Sequence, residues 1–582
     1  MNTPLVEYNK TRNKNNVLRI SIFLFALLST GGTILYLIYN GSPIKIDYQR
    51  DISAVWVNEE KQINTRILVE KENYISVNFL IENIDDGIHM NEDQTMVIVT
   101  PSKNIVFLKE NEKSVRINDD INQLSIPAYV TESGEAYLSK EMIEAVYPVK
   151  FTILKNGELK LAKDKGKRTT ATIIKQPLID EVKLRQEPSL LSPYYETIEI
   201  HEQIQILSEK GDMLYVETKN GTKGYVNQDS VDHKEEEAIV INSPLPIYPS
   251  APINEPIRLT WEAVYTKNPT PSNLGKMDGL NVVSPTWFHL EDEKGTLKNL
   301  ASSSYMEWAK SRDYHVWALF SNNFDPELTH QVLKDYETRK RMIDTLLHYV
   351  AIYKLDGINI DFENVNLEDG PLFTQFVREV SASLHQVGKV VSVDVTFIST
   401  SGNWSAFLER EKLAEVVDYM MVMAYDEHWG SSPVAGSVAS IPWVEANLQR
   451  LLEQVPSEKV VLGVPLYTRL WKEEVTDAGD ISVSSEALSM SKAAKWIKER
   501  NLTPIYEEET GQDFVSYQEG NVTYKMWLEN ETSLKKRAKI TNKYNLAGVA
   551  TWARFFGTDD AFATLHDTFL TLEARGDAMP NL

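Results

Sequence analysis

From Ile257 onward the sequence repeats one unit: a short apolar run followed by a longer amphipathic one. The short runs are Leu259–Val264, Val282–His289, His315–Leu319, Gly357–Phe362, Val390–Phe397, Val417–Ala424, Val460–Leu466 and Gly548–Trp552. Between them, Met342, Ile343, Leu346, Leu347 and Val350 share one helical face. A second helix is predicted to open at Asp369-Gly370-Pro371, bury Leu372, Phe373, Phe376, Val377 and Val380, and close at Gly388. Alternation on this scale predicts an α/β fold, a (β/α)8 TIM barrel over residues 257–570. The competing architecture, a doubly wound open sheet, calls for a glycine-rich phosphate loop after its first strand, and none is present. The long interval between the seventh and eighth strands predicts an inserted subdomain at about 472–540.

One of the short runs is unusual. Residues 355–365 read L-D-G-I-N-I-D-F-E-N-V, so Ile358, Ile360 and Phe362 alternate with Asn359, Asp361 and Glu363. In a central barrel strand one face packs under the helices and the other enters the barrel. The apolar set suits the first face, which sends the amide and the two carboxyls inward, climbing toward the C-terminal mouth. Polar groups in such a place are costly unless they bond to one another or to a ligand. A half-wet edge strand would also carry this alternation, but it does not suit a central parallel strand.

The same stretch, D-G-I-N-I-D-F-E, resembles the D-G-x-D-x-D-x-E signature of glycoside hydrolase family 18, the chitinase-like barrel enzymes. M-A-Y-D at 423–426, L-G-V-P-L-Y-T-R-L-W at 462–471 and G-V-A-T-W at 548–552 are similar to further family motifs, in the same order. The resemblance implies a glycosidase that needs no metal and no cofactor. Glu363 is then the general acid, while Asp361 orients the substrate's acetamido group and stabilises the charge that develops on it. Tyr425 positions the acetamido oxygen for attack, Asp426 contacts the sugar, and Trp552 forms an apolar floor. Asn359 stands where most chitinases have an Asp; it resembles the pattern of a bacterial branch that lyses spore cortex and cell wall. A neutral amide there removes one like charge from the site, and we expect it to hydrogen-bond Asp361. Other residues near these motifs remain open. His428 has no second histidine nearby to make a metal site, Trp404 is either an outer sugar platform or a loop anchor, Arg469 pairs within the barrel or touches substrate, and Trp527 is read as packing in the insert.

The remaining 256 residues predict location rather than chemistry. Ile20–Tyr39 is free of charge and long enough to cross ~30 Å of hydrocarbon. Lys10, Arg12, Lys14 and Arg19 precede it against Glu7 alone, which places residues 1–19 in the cytoplasm and the bulk of the chain outside. No A-x-A-like site follows the apolar stretch, so a retained anchor is preferred to a cleaved signal peptide. Residues 48–165 carry a weak repeat: Tyr74-Ile75-Ser76 with Thr95–Val99 is echoed by Tyr137-Leu138-Ser139 with Glu158–Leu161. This small α+β unit resembles the stalk domain named after the N-terminal domain of copper amine oxidases; with His89 as its sole histidine, a spacer is the expectation. Residues 178–231, with Asn220-Gly221 as a hairpin signal and Gly224-Tyr225-Val226, resemble a bacterial SH3 domain. That resemblance implies a cell-wall peptide partner, with a spacer as the alternative. Residues 232–256 hold Glu235, Glu236 and Glu237, then five prolines, and read as a linker.

A net charge of −23 argues against nucleic acid as a partner, and the lack of cysteine excludes disulfides and thiolate chemistry. The sequence therefore predicts a membrane-anchored glycosidase acting on peptidoglycan or, second, chitin. A non-cleaving lectin and a vestigial scaffold are the alternatives, and retention of Glu363 speaks against the lectin.

Overall fold

The structure, a computed structural model, describes residues 13–48, 55–57, 60–62, 74–132, 134–153, 159–175, 181–275, 277–476 and 480–574. It divides into two compact units, Met1–Phe79 with Tyr137–Pro244, and Leu80–Ala136 with Leu245–Leu582.

The larger unit contains the barrel. Its strands are β1 (Ile257–Glu262), β2 (Val282–Leu290), β3 (His315–Ser321), β4 (Gly357–Asp361), β5 (Val390–Thr396), β6 (Tyr419–Met423), β7 (Val460–Pro465) and β8 (Gly548–Trp552). Each pairs in parallel with its neighbours, and β8 closes onto β1 through Ile257↔Gly548 and Leu259↔Ala550. The two faces of β4 separate as the alternation predicts. Ile358, Ile360 and Phe362 are buried in the core shared with the helices, where Phe362 stacks on Phe373 and Phe376 at 5.5 and 5.6 Å. A second core, containing Leu259, Trp261, Trp317, Leu319, Tyr419 and Met421, fills the barrel interior.

Local signals set the helix ends. In Tyr336–Tyr353, Asp335 caps the start by accepting from the Thr338 N–H, and Lys354 ends the helix in the left-handed region at φ +57°. Gly370–Gln386 begins with Pro371 in its first turn, and Gly388 follows it at φ +66°.

Two features differ from the expected barrel. Among the described residues, β1 and β2 are joined without an α-helix, through the 3-10 turn Pro271–Asn273. The segment N-P-T-P-S-N is too rich in helix breakers for more. The insert begins earlier and ends earlier than 472–540. Its five-stranded antiparallel sheet runs from Tyr467–Val475 to Val522–Trp527 and carries the helix Met490–Glu499. Glu531–Lys543 belongs to the barrel, since Leu534, Ala538 and Ile540 join the helix-side core.

This unit also takes in part of the segment read as a stalk. Residues 88–123 form a five-stranded antiparallel sheet. Asn91 Oδ1 accepts from Arg339 Nη2 at 3.1 Å, Asp86 pairs with Arg378 at 2.9 Å, and Phe107 stacks on Tyr336 at 4.7 Å. The expected single domain over 48–165 is thus shared between the two units.

The smaller unit holds the rest of that segment. The echoed strands of the repeat pair with each other, Tyr137↔Ser76 and Ser139↔Tyr74. A seven-stranded sheet covers the region read as SH3-like and extends beyond its expected ends, adding Lys167–Ile173 and Val231–Ala238. The acidic run at 235–237, read as linker, lies in that last strand and pairs with Arg168, Thr169 and Thr170. That strand is exposed along nearly its whole length, so its acidic side chains stay in water, and Glu236 also pairs with Lys167. At the N-terminus the helix Asn13–Asn40 contains an exposed apolar stretch, Leu18–Leu37, long enough to cross a membrane. By itself that stretch suits a signal sequence or an anchor. The basic residues Lys10 and Arg12, with Glu7, lie outside the described residues.

Candidate active site

The six residues singled out in the sequence lie on β4, β6 and β8 or just past their C-terminal ends. Asn359 sits deepest and is fully buried. Its Oδ1 accepts from Trp261 Nε1 at 2.9 Å and Ser284 Oγ at 3.3 Å, while its Nδ2 donates to Ser392 Oγ at 3.1 Å and Asp394 Oδ1 at 2.7 Å. Both amide protons are therefore committed to β5, which corrects the expected bond to Asp361. Asp361 Oδ1 is buried without a hydrogen-bond partner. Burial pushes the Asp361 carboxyl up to about 7.

Glu363 stands just beyond the strand end, where Asn322 clamps its backbone. The Glu363 N–H donates to Asn322 Oδ1 at 3.1 Å, and Asn322 Nδ2 donates back to the Glu363 carbonyl at 2.8 Å. Burial, then the charges of Asp361 and Asp426, hold the Glu363 carboxyl well above the ordinary range. A glutamic acid so placed keeps its proton near neutral pH and can donate it.

Tyr425 follows β6 and faces the same cluster. Burial raises its hydroxyl well above the usual value, and Asp394, Tyr467, Glu363 and Asp361 add to the effect. The neutral phenol is thus kept as a hydrogen-bond donor. Asp426 is exposed and turns through the left-handed region at φ +60°. It accepts from Tyr467 OH at 2.6 Å and lies 3.8 Å from Arg469 Nη2. Trp552, half-buried at the end of β8, tilts against Trp261 with ring centroids 6.0 Å apart.

Sequence reasoning missed Asp394 and Tyr467. Asp394 was legible: in V-V-S-V-D-V-T, Ser392 and Asp394 alternate with valines just as the polar set alternates on β4. Tyr467 lay inside a quoted motif but had no partner visible in sequence. The open residues resolve into local roles. His428 Nδ1 is bonded to the Ser437 carbonyl at 2.8 Å, and Trp527 donates to Glu507 at 2.7 Å and packs on Phe514. Arg469 bridges Asp426 and Ser485. Trp404 remains exposed, its ring 6.4 Å from Phe324.

A closed eight-stranded parallel barrel with carboxyls gathered at its C-terminal mouth is the arrangement of a barrel enzyme. Residues 263–557, about half of the chain, match the model of the glycosyl hydrolases family 18, and the chain belongs to that family and is a glycosidase. It is 28% identical over 286 residues to the uncharacterized glycosylase YvbX of Bacillus subtilis, covering 47% of this chain and 80% of that protein. It is 31% identical over 245 residues to the putative sporulation-specific glycosylase YdhD of the same species, covering 41% and 56%. Against the cortical fragment-lytic enzyme of Bacillus anthracis it is 26% identical over 238 residues, covering 40% and 54%. The chain thus spans little more than half the length of the last two.

Proposed function

We propose that this glycosidase cleaves β-1,4 bonds next to N-acetylglucosamine, with peptidoglycan as first substrate and chitin as second. The observation that carries the reading is a cluster of carboxyls withdrawn from water, Asp394 buried and Asp361 and Glu363 partly so, none of them ion-paired among the described residues, at the end of the barrel where such enzymes act. Glu363 gives its proton to the glycosidic oxygen as that bond breaks. The substrate's own acetamido oxygen attacks the anomeric carbon, and Asp361 steadies the acetamido nitrogen as it gains positive charge. Tyr425 donates a hydrogen bond to the acetamido oxygen. Asp426 binds the sugar, and Trp552 lies under its ring. Water, deprotonated by Glu363, then opens the cyclic intermediate, and the configuration is retained.

The choice of peptidoglycan is supported by relatives whose names refer to sporulation and to cortical fragments. Location supports it too. The Leu18–Leu37 helix would be an uncleaved anchor with its N-terminus in the cytoplasm. Residues 178–231 would serve as an SH3-like module for wall peptides, and residues 48–165 as a stalk. The test is to incubate the full chain, held in detergent, with purified peptidoglycan and with chitin oligomers, and to identify the products by mass spectrometry. New reducing ends at N-acetylglucosamine from peptidoglycan are expected. Binding to both glycans with no product from either would favour a lectin.

A further inference from the structure

Asp394 brings into the barrel mouth a carboxyl that lies outside every motif read in the sequence. It lies on β5 one residue past the Ile360↔Val393 pairing, which sets its side chain beside that of Asp361. It is 4% exposed, and Asn359 Nδ2 donates to its Oδ1 at 2.7 Å. That amide cannot turn over, because its oxygen already accepts from Trp261 and Ser284. The donor therefore always faces Asp394. The titratable groups around Asp394 are Asp361 and Glu363 from the β4 side and Tyr425 from the end of β6. Among the described residues no cation pairs with it. Carboxyls this close and this dry cannot all be ionised.

We propose that Asp394 is a positioning residue that acts through Asp361: the fifth strand returns the carboxyl that Asn359 removes from the fourth. Asp361 and Asp394 hold one proton between them. When the acetamido cation forms, that proton rests on Asp394, and Asp361 meets the charge ionised. One O–H bond breaks on Asp361 and one forms on Asp394, with no net gain or loss of protons. This inference rests on the roles given to Glu363 and Asp361 above.

The test compares Asp394→Asn with the swap Asn359→Asp/Asp394→Asn, both in the full chain in detergent, using the glycan that the wild type cleaves. Asp394→Asn is expected to lower kcat at least tenfold with KM little changed, and to shift a limb of the kcat/KM pH profile. The swap, which moves the carboxyl back to β4, is expected to recover most of both. Wild-type kcat and profile in Asp394→Asn would overturn the proposal. So would a loss of kcat with unmoved limbs, or failure of the swap to rescue while its melting temperature stays at the wild-type value. A readout without substrate separates this from the functional reading. The folded cluster holds protons that the unfolded chain releases, so the melting temperature should fall as pH rises above ~4. Asp394→Asn should flatten that slope. An unchanged slope sinks the inference alone, whereas a wild type inert on both glycans sinks the functional reading.

Discussion

The barrel unit buries carboxyls in two settings, and it treats them oppositely. In the helix layer Glu379 is fully buried, and Arg339 grips it through Nε at 3.0 Å and Nη2 at 2.9 Å, with Gln375 donating at 3.0 Å. Glu529 is held in the same way by Arg537, Ser533 and Gln512. In the barrel mouth Asp394 is buried and Asp361 and Glu363 are partly so, yet among the described residues none of the three has a cation beside it, and each has its proton affinity raised, as burial also raises that of Glu529. A buried carboxylate that serves only structure needs its counter-charge, because the bare ion costs several kcal/mol. An acid that must give up a proton during a reaction is better left without one. The missing guanidinium is what distinguishes the site from the scaffold.

Substitutions can break that contrast from either side. The largest effect should come from Glu363→Gln. Hydrolysis should fall by about 10²–10⁴-fold or more, the range of general acid catalysis, while glycan binding persists and the melting temperature does not drop. Product release assays beside calorimetric binding check both. Arg339→Ala should do the reverse, costing about 3–5 kcal/mol in denaturant unfolding because Glu379 is left alone. The folded fraction should keep its turnover. The third contrast is in pH. The Asp361 carboxyl sits at about 7 when folded and near ~4 when unfolded. Between those values the folded state binds the extra proton, so Asp361's contribution to stability falls as pH rises. Asp361→Asn should remove that part of the slope in melting curves. The smallest effect belongs to Tyr467→Phe, which deletes the 2.6 Å bond to Asp426. It should raise KM about tenfold or less, leaving kcat nearly intact in steady-state assays.

The barrel itself was legible because its strands are short, apolar and evenly interrupted, and β4 announced the site by placing amide and acids on one face. What stayed hidden depends on partners far away in sequence. Asn359 was expected to bond Asp361, two residues along its own strand, but neighbouring strands lie nearer in the barrel, and its protons go to β5. Asp394 carried the same alternation as β4 and was overlooked only because no motif drew attention to it. Residues 80–136 looked separable from the barrel. Their link to it is made by Asn91 and Asp86 with Arg339 and Arg378, polar residues that read as solvent-facing on either segment alone. The early start of the insert follows from Tyr467–Val475 being one continuous strand, whose first residues were read as the tail of a barrel motif.

The most direct measurement is an infrared titration of carboxyl C=O absorption across neutral pH, comparing the full chain with Glu363→Gln. A protonated-carboxyl band that persists through pH 7 in the wild type and is diminished in the variant is the expected result. A wild-type spectrum in which every such band has vanished by about pH 5, where ordinary carboxyls are already ionised, would contradict the assignment of Glu363 as the acid.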